Sequence, residues 1–200
     1  NGINVISAKG QLSNKNYYFK PHISWTRVSS KLNMRYYDKR LVFDNTSPAI
    51  FNDLFYLLGF YNSNVCENKR LELYSGNKIE SGYINSLAPI EITQSIKIKV
   101  EKIVDENISM SKKDWDSFET SWDFTKHPLI KFGRSNALWR EPKENEIQES
   151  FDSGSIQLSF KAWEDFTERQ FAQLKANEEE LNRIFIEIYG LEDELTPEVE

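Results

Sequence analysis

Residues 155 to 189, from Ser155 to Tyr189, read SIQLSFKAWEDFTERQFAQLKANEEELNRIFIEIY, with no proline and no glycine. Phe160, Trp163, Phe166, Phe171, Leu174, Leu181, Ile184, Phe185 and Ile188 recur mainly at three- and four-residue spacing among glutamate, lysine and arginine. That is the period of an α-helix with one apolar stripe, so the run predicts a single long amphipathic helix. Gly190 follows where a helix end calls for a left-handed residue. The trio Glu178, Glu179 and Glu180 reads as a solvated face. A stripe with this many large apolar residues has to be covered, either by the protein's own core or by a partner. The acidic tail with Pro197 reads as lying outside the fold or as leading into a further segment.

Working back from that helix, Phe132 to Gly154 carries Gly133, Pro142, Gly154 and many charges and reads as a loop. Lys112 to Phe124 predicts a helix with Trp115, Phe118 and Trp122 on one side, stopped by His127-Pro128. Ile96, Val100, Ile103, Val104 and Ile108 mark the face of another helix beginning after Thr93, a candidate N-cap. Tyr83 to Ile92 contains Pro89 and is expected as an edge strand or extended loop, closing a first unit. Leu54, Leu57, Leu58 and Tyr61 predict a helix after Asn52, packed on a sheet. Residues 17–51 read as short strands and turns, with alternation in Met34 and Tyr36 and in Leu41 and Phe43. The expected fold class is α+β: a small mixed β-sheet with a packed helix over residues 1–92. A helical unit over 93–200 follows, with a loop near 132–154 and one long amphipathic helix.

Composition narrows the function classes. The chain of 200 residues can bury a core without disulfides. Its single cysteine, Cys66, fits a reducing cytoplasm and reads as a small buried hydrophobe. No apolar run is long enough to span a bilayer, so a soluble cytoplasmic protein is expected, without a membrane partner. The chain opens on Asn1-Gly2 without an initiating methionine and reads as an excised piece.

The net charge of -6 is unevenly distributed. Residues 1–50 hold eight lysines and arginines against two acids, a net of +6. Residues 151–200 hold four against thirteen, a net of -9. An acidic whole therefore carries a basic end on which a polyanion can dock.

A catalytic constellation is missing from the sequence. His22 and His127 lack metal-ligand spacing and read as surface or capping imidazoles. No glycine-rich phosphate loop occurs, which argues against a cofactor site in this chain, and no carboxylate-lysine cluster suggests a nuclease. The segment Tyr17 to Arg40 differs, because Tyr17, Tyr18, Phe19, Trp25, Tyr36 and Tyr37 alternate with cations and hydroxyls. Lys20, Trp25, Arg27, Ser29, Ser30, Lys31, Arg35 and Lys39 are the candidate DNA-binding residues. Lysine and arginine can neutralise phosphates, serine can donate to phosphate or base edges, and arginine can fork onto guanine. The alternative is that the aromatics form the core of a small sheet whose outer face the charges keep wet.

Several blocks resemble a known family. Ile23-Ser24-Trp25-Thr26-Arg27-Val28-Ser29-Ser30, Met34-Arg35-Tyr36-Tyr37 and Leu41-Val42-Phe43-Asp44 resemble the target-recognition domain of the large N6-adenine DNA methyltransferases called PglX. These belong to BREX phage-exclusion systems, and type IIG restriction-modification enzymes look similar. Leu54 to Ser63 resembles the helix that follows the first strands in such domains, and Tyr83 to Ile90 their closing segment, with Ala88 a departure. Lys113 to Phe124, Gln173 to Ile186 and Tyr189 to Glu198 are similar to the helical region after the recognition domain. The family's S-adenosylmethionine-binding glycine motif and its Asn-Pro-Pro-Tyr motif have no match here.

The resemblance implies a non-catalytic fragment that helps a parent methyltransferase choose its site on double-stranded DNA. S-adenosylmethionine is implied for the parent alone. The rest of the parent is the implied partner, with other defence-system proteins as further ones. The alternative role is a helical scaffold or protein-interaction segment of the same enzyme.

Overall fold

The computed structural model describes residues 14–74, 76–132 and 155–199. After a single 3-10 turn at Lys15–Tyr17, three short strands form a sheet: β1 (His22–Ser24), β2 (Arg35–Tyr37) and β3 (Ala49–Ile50). The order is β2-β1-β3 and both pairings are antiparallel, with His22 opposite Tyr37, Ser24 opposite Arg35, and Ile23 opposite Ile50. Opposed side chains share a face. Ile23, Tyr36 and Ile50 therefore turn to one side of the sheet, where Tyr36 meets Phe55 edge-on at 5.6 Å. The stretch Leu41 to Phe43, expected as a strand, is not one. Phe43 instead packs at 5.2 Å on Phe51, and an Asp44 carboxylate turn follows, accepting from Thr46 N at 2.8 Å and Ser47 N at 2.9 Å.

The predicted helix after Asn52 is α1 (Leu54–Tyr61). It is followed at once by α2 (Asn64–Leu73), which periodicity did not reveal because its exposed side is so polar. Ser63 caps α2, its hydroxyl accepting from Cys66 N at 3.3 Å. Arg70 of α2 is 3% exposed yet fully engaged. Its guanidinium pairs with Glu67 at 2.7 Å and donates to the carbonyls of Tyr74 at 3.2 Å and Ser30 at 3.0 Å.

Tyr83 to Ile92, expected as an edge strand or extended loop, is helical in its first part and extended loop only after Leu87. Ser81–Ser86 is a short helix, α3, that buries Ile84 and is followed by buried Leu87, while Pro89 lies beyond its end and interrupts nothing. Helix α4 (Gln94–Trp115) begins after Thr93 as expected and buries Val100 and Val104. The second helix expected over Lys112 to Phe124 is absent, since α4 stops at Trp115 and successive tight turns run from Asp116 to Phe124. Pro128 starts a helix where it was expected to stop one: α5 (Pro128–Phe132) opens on it. Proline is tolerated at that first position because its missing N–H would have no partner there. The loop expected near 132–154 lies, apart from Phe132, outside the described residues.

The long helix is present as predicted: α6 (Ser155–Tyr189) runs 35 residues, a length of about 52 Å. It ends in a Schellman motif at Gly190 (φ 64), with Leu191 N donating to Ile186 O at 3.1 Å and Gly190 N to Glu187 O at 3.2 Å. Its last turns carry Leu181, Ile184, Phe185 and Ile186 into one core cluster with Ile23, Trp25, Met34, Tyr56, Phe60, Val65, Ile79 and Val104. Residues on both sides of position 92 thus share this cluster. The acidic tail is folded back, against expectation. Leu191 and Leu195 pack on the core, Asn182 Nδ2 donates to Pro197 O at 3.1 Å, and Asn64 Nδ2 donates to Thr196 O at 3.1 Å.

Two contacts fix how the helices meet. A Cβ at Gly59 would stand 3.0 Å from Val104 Cγ2 and 3.2 Å from Val100 Cγ1, so glycine lets α1 lie directly against α4. Phe185 of α6 is fully buried, 5.5 Å from Phe60 and 6.0 Å from Tyr56. We expect Phe185→Ala to lower stability by about 3–5 kcal/mol in urea unfolding, through lost burial and a residual cavity. A loss under about 1 kcal/mol would mean that α6 does not seal the sheet unit.

Candidate nucleic-acid interface

The candidate residues all issue from β1, β2 and the loops beside them. On the sheet face away from α1, His22 is 2% exposed and sits among Tyr37 (stacked at 5.5 Å), Phe43 (6.2 Å) and Phe51 (5.5 Å). The imidazole expected at the surface is therefore a core residue of a second, aromatic layer; its Nδ1 lies 2.8 Å from Lys20 O. Arg35, opposite Ser24 on this same face, is exposed. Lys39 follows in an exposed turn, and Lys20 is exposed with its ammonium 5.4 Å from the centre of the Tyr17 ring. His127 caps α5, its Nδ1 accepting from Leu129 N at 3.2 Å.

The loop after β1 carries the other candidates. Its main chain is clamped on two sides: Arg27 N donates to Thr46 O at 3.0 Å, Ile79 N donates to Arg27 O at 2.7 Å, and Ser29 N donates to Asn77 O at 2.9 Å. Val28 bridges to Lys78 across this contact. Ser30 and Lys31 are exposed, and the bond from Arg70 to Ser30 O holds that turn against α2.

Two candidates do not behave as free DNA-binding side chains. Trp25 is 3% exposed, and its indole N–H donates to Ile79 O at 2.9 Å. It anchors the core and presents no edge to a ligand, which corrects its nomination. Arg27 is partly exposed, but its guanidinium is held by Glu80 at 2.6 Å and Asn45 Oδ1 at 3.2 Å. Lys20, Lys31, Arg35 and Lys39 form no ion pair among the described residues. Lys78, Glu80, Asn45 and Arg70 complete the surroundings of this loop and are not evident from the sequence. Each lies more than five residues from its spatial partner in the basic loop, so no local pattern announces it.

Arg40 illustrates a neutralised cation. It forks onto Asp123 at 2.8 and 2.9 Å and pairs with Asp38 at 2.8 Å. Lys112 adds a bond to Asp123 at 2.6 Å, joining the β2 turn to the turns after α4. These partners bring the Asp123 carboxyl down to about 2, chiefly through the Arg40 bond, and hold Asp38 below its ordinary range. The network flanks an open groove of about 950 Å³ between β2, α4 and α6.

Cys66 is fully buried, and burial pushes its thiol up to about 12. Among the described residues no cluster of three His, Cys, Asp or Glu is placed to hold a metal ion. No described helix is long and apolar enough to cross a membrane.

No protein-family model matches the chain. It is similar over 98% of its length to "Adenine-specific methyltransferase PglX" of Lacticaseibacillus casei (strain Zhang), at 34% identity. It is also similar over 98% of its length to "Adenine-specific methyltransferase BrxX" of Escherichia coli O9:H4 (strain HS), at 29% identity. The chain spans 16% and 15% of the length of these relatives. It therefore corresponds to a segment of a PglX-like enzyme, as the sequence blocks implied.

The ion network gives a pH test. A carboxylate whose folded pKa is depressed contributes stability above its unfolded value, and that contribution is lost as pH falls through the folded value. Unfolding curves of wild type and Asp123→Asn should differ at neutral pH and converge as pH falls from about 3.8 to about 2. A gap that persists at pH 2 would show that the network does not act through this charge.

Proposed function

We propose, from the kinship of this chain with a segment of PglX-like adenine-specific methyltransferases, that it is the DNA-sequence recognition segment of such an enzyme. Residues 1–92 form a partial target-recognition unit and 93–200 the helical unit that braces it. Methyl transfer and S-adenosylmethionine binding belong to other parts of the longer enzyme, which acts in the bacterial cytoplasm, and this segment is itself non-catalytic. Double-stranded DNA is the ligand.

One observation carries this reading. Lys20, Lys31, Arg35 and Lys39 are exposed and without acidic partners among the described residues, although the chain as a whole is acidic. Helix cations such as Lys97, Lys99, Lys112 and Lys161 are each held by a carboxylate. Cations left unneutralised on the β-unit add positive potential there, which is what attraction to phosphate requires. Lys31, Arg35, Lys39 and Lys20 are the phosphate-binding set. Ser29 and Ser30 supply hydroxyl donors beside them.

A second reading, that the helical unit docks a protein partner, is favoured by Trp122, 84% exposed, and by Leu158 and Phe171 of α6, 72% and 65% exposed. Light scattering of the purified chain separates the two, because a monomer that still binds DNA needs no such partner for its activity.

Binding of the chain to a random duplex should weaken steeply with salt. Lys31→Ala should reduce the slope of log affinity against log salt by about 1, the signature of one lost phosphate contact. Absence of any duplex binding at low salt would contradict the proposal.

A further inference from the structure

We propose that Glu80 and Asn45 are positioning residues that hold Arg27 as a rigid reader of a guanine edge, separate in role from the unpaired lysines around it. This rests on the DNA-recognition reading above and assigns different tasks to the cations within it.

Arg27 is restrained twice by the same two segments. Its main chain bonds to Thr46 and Ile79, and its side chain bonds to their immediate neighbours, Asn45 and Glu80. Both segments are themselves fixed. Asp44 Oδ1 accepts from Thr46 N at 2.8 Å, Thr46 Oγ1 at 2.7 Å and Ser47 N at 2.9 Å, while the Trp25 indole holds Ile79 O. The carboxylate of Glu80 largely cancels the charge of Arg27, so this arginine is a poor attractor of phosphate. A guanidinium has five N–H donors in a planar fork. One is spent on Glu80 and one on Asn45, and the side chain keeps 32% of its exposure.

The remaining donors are held in a fixed plane. A fork already fixed loses little entropy when it closes on the O6 and N7 acceptors of guanine in the major groove. Lys78, exposed and facing Val28 across the bridge beside Arg27, supplies an unneutralised charge for the adjoining phosphate. The pairing of one restrained arginine with several free lysines divides base reading from backbone attraction.

The test is selection from a randomised duplex pool at low salt, with the affinity for the whole pool measured alongside the bases enriched. The full 200-residue chain is used, with circular dichroism to confirm folding of each variant. Glu80→Gln removes a negative charge near DNA and weakens the hold on the guanidinium, replacing an ion pair by a neutral acceptor. It should bind the pool about two- to fivefold more tightly and lose about tenfold in preference for G at one position. Glu80→Asp should restore that preference, and Asn45→Ala, which leaves the ion pair in place, should lose part of it. Lys31→Ala should weaken binding to every sequence and leave the preference intact.

The inference is overturned if Glu80→Gln enriches the same G as wild type or weakens binding to the pool, as removal of a merely structural ion pair would. It is also overturned if wild type binds without selecting any base. A wild type that binds no duplex defeats the DNA reading itself, and is seen before any variant is compared.

Discussion

The contact between the last turns of α6 and the helix α1 is the constraint on which the rest of the structure depends. A three-stranded sheet of two- and three-residue strands cannot bury enough apolar surface to stand alone. Phe60 and Phe185, both fully buried, meet across this contact, with Tyr56 beside them and Tyr189 stacked on Phe60 at 5.9 Å. The sheet gains its second layer from α1, and α1 is in turn covered by α4 and α6. Polar clamps then fix the register of the helices: Asn177 donates to Asn107 at 2.8 Å between α6 and α4, and Asn182 accepts from the free first N–H of α2 at 2.9 Å. Both clamps are part-buried and give polar groups at the helix contacts a partner.

That bracing has a consequence for the surface. The loop carrying Arg27 to Lys31 is not tied to the sheet by a ladder; it is held by single bonds from Thr46, Asn77, Ile79 and Arg70. Those partners come from three separate segments, all resting on the common core. A loop presented this way keeps its geometry while its outward side chains remain free to vary, the general arrangement for specificity on a rigid scaffold. The charge division follows the same plan. Carboxylates hold several helix cations, Lys97, Lys99, Lys112 and Lys161 among them, while Lys20, Lys31, Arg35 and Lys39 of the β-unit stay exposed.

Much of this was legible in the residues. The apolar stripe of Phe160 to Ile188 and the glycine after it gave α6 and its end, and Ile96 to Ile108 gave α4. The basic character of Tyr17 to Arg40 pointed to Lys20, Lys31, Arg35 and Lys39, which have no ion pair among the described residues, but not to the pairing of Arg27 and Arg40 with distant acids. What could not be read were the long-range partners. Pro89 suggested a strand because a proline weighs against helix, yet the helix ends before it. Trp115, Phe118 and Trp122 have helical spacing, but Asp116, Ser121 and Asp123 draw the chain into turns through bonds to Lys112, Arg40 and each other. The tail looked too acidic to pack, and only the tertiary positions of Asn64 and Asn182 show why it does. Trp25 belongs to the core and not to the DNA-binding set because its indole partner, Ile79 O, lies 54 residues away in the sequence.

The proposed function requires that duplex DNA meet one face of the β-unit while the helices brace it from behind. An amide nuclear magnetic resonance footprint tests this most directly, by titrating a duplex into the isotope-labelled chain and following each backbone N–H. Perturbations are expected to cluster at residues 27–39 and 77–80 and to leave the face of α6 around Arg183 to Glu187 unchanged. Perturbations centred on α4 or α6, with residues 27–39 silent, would contradict it.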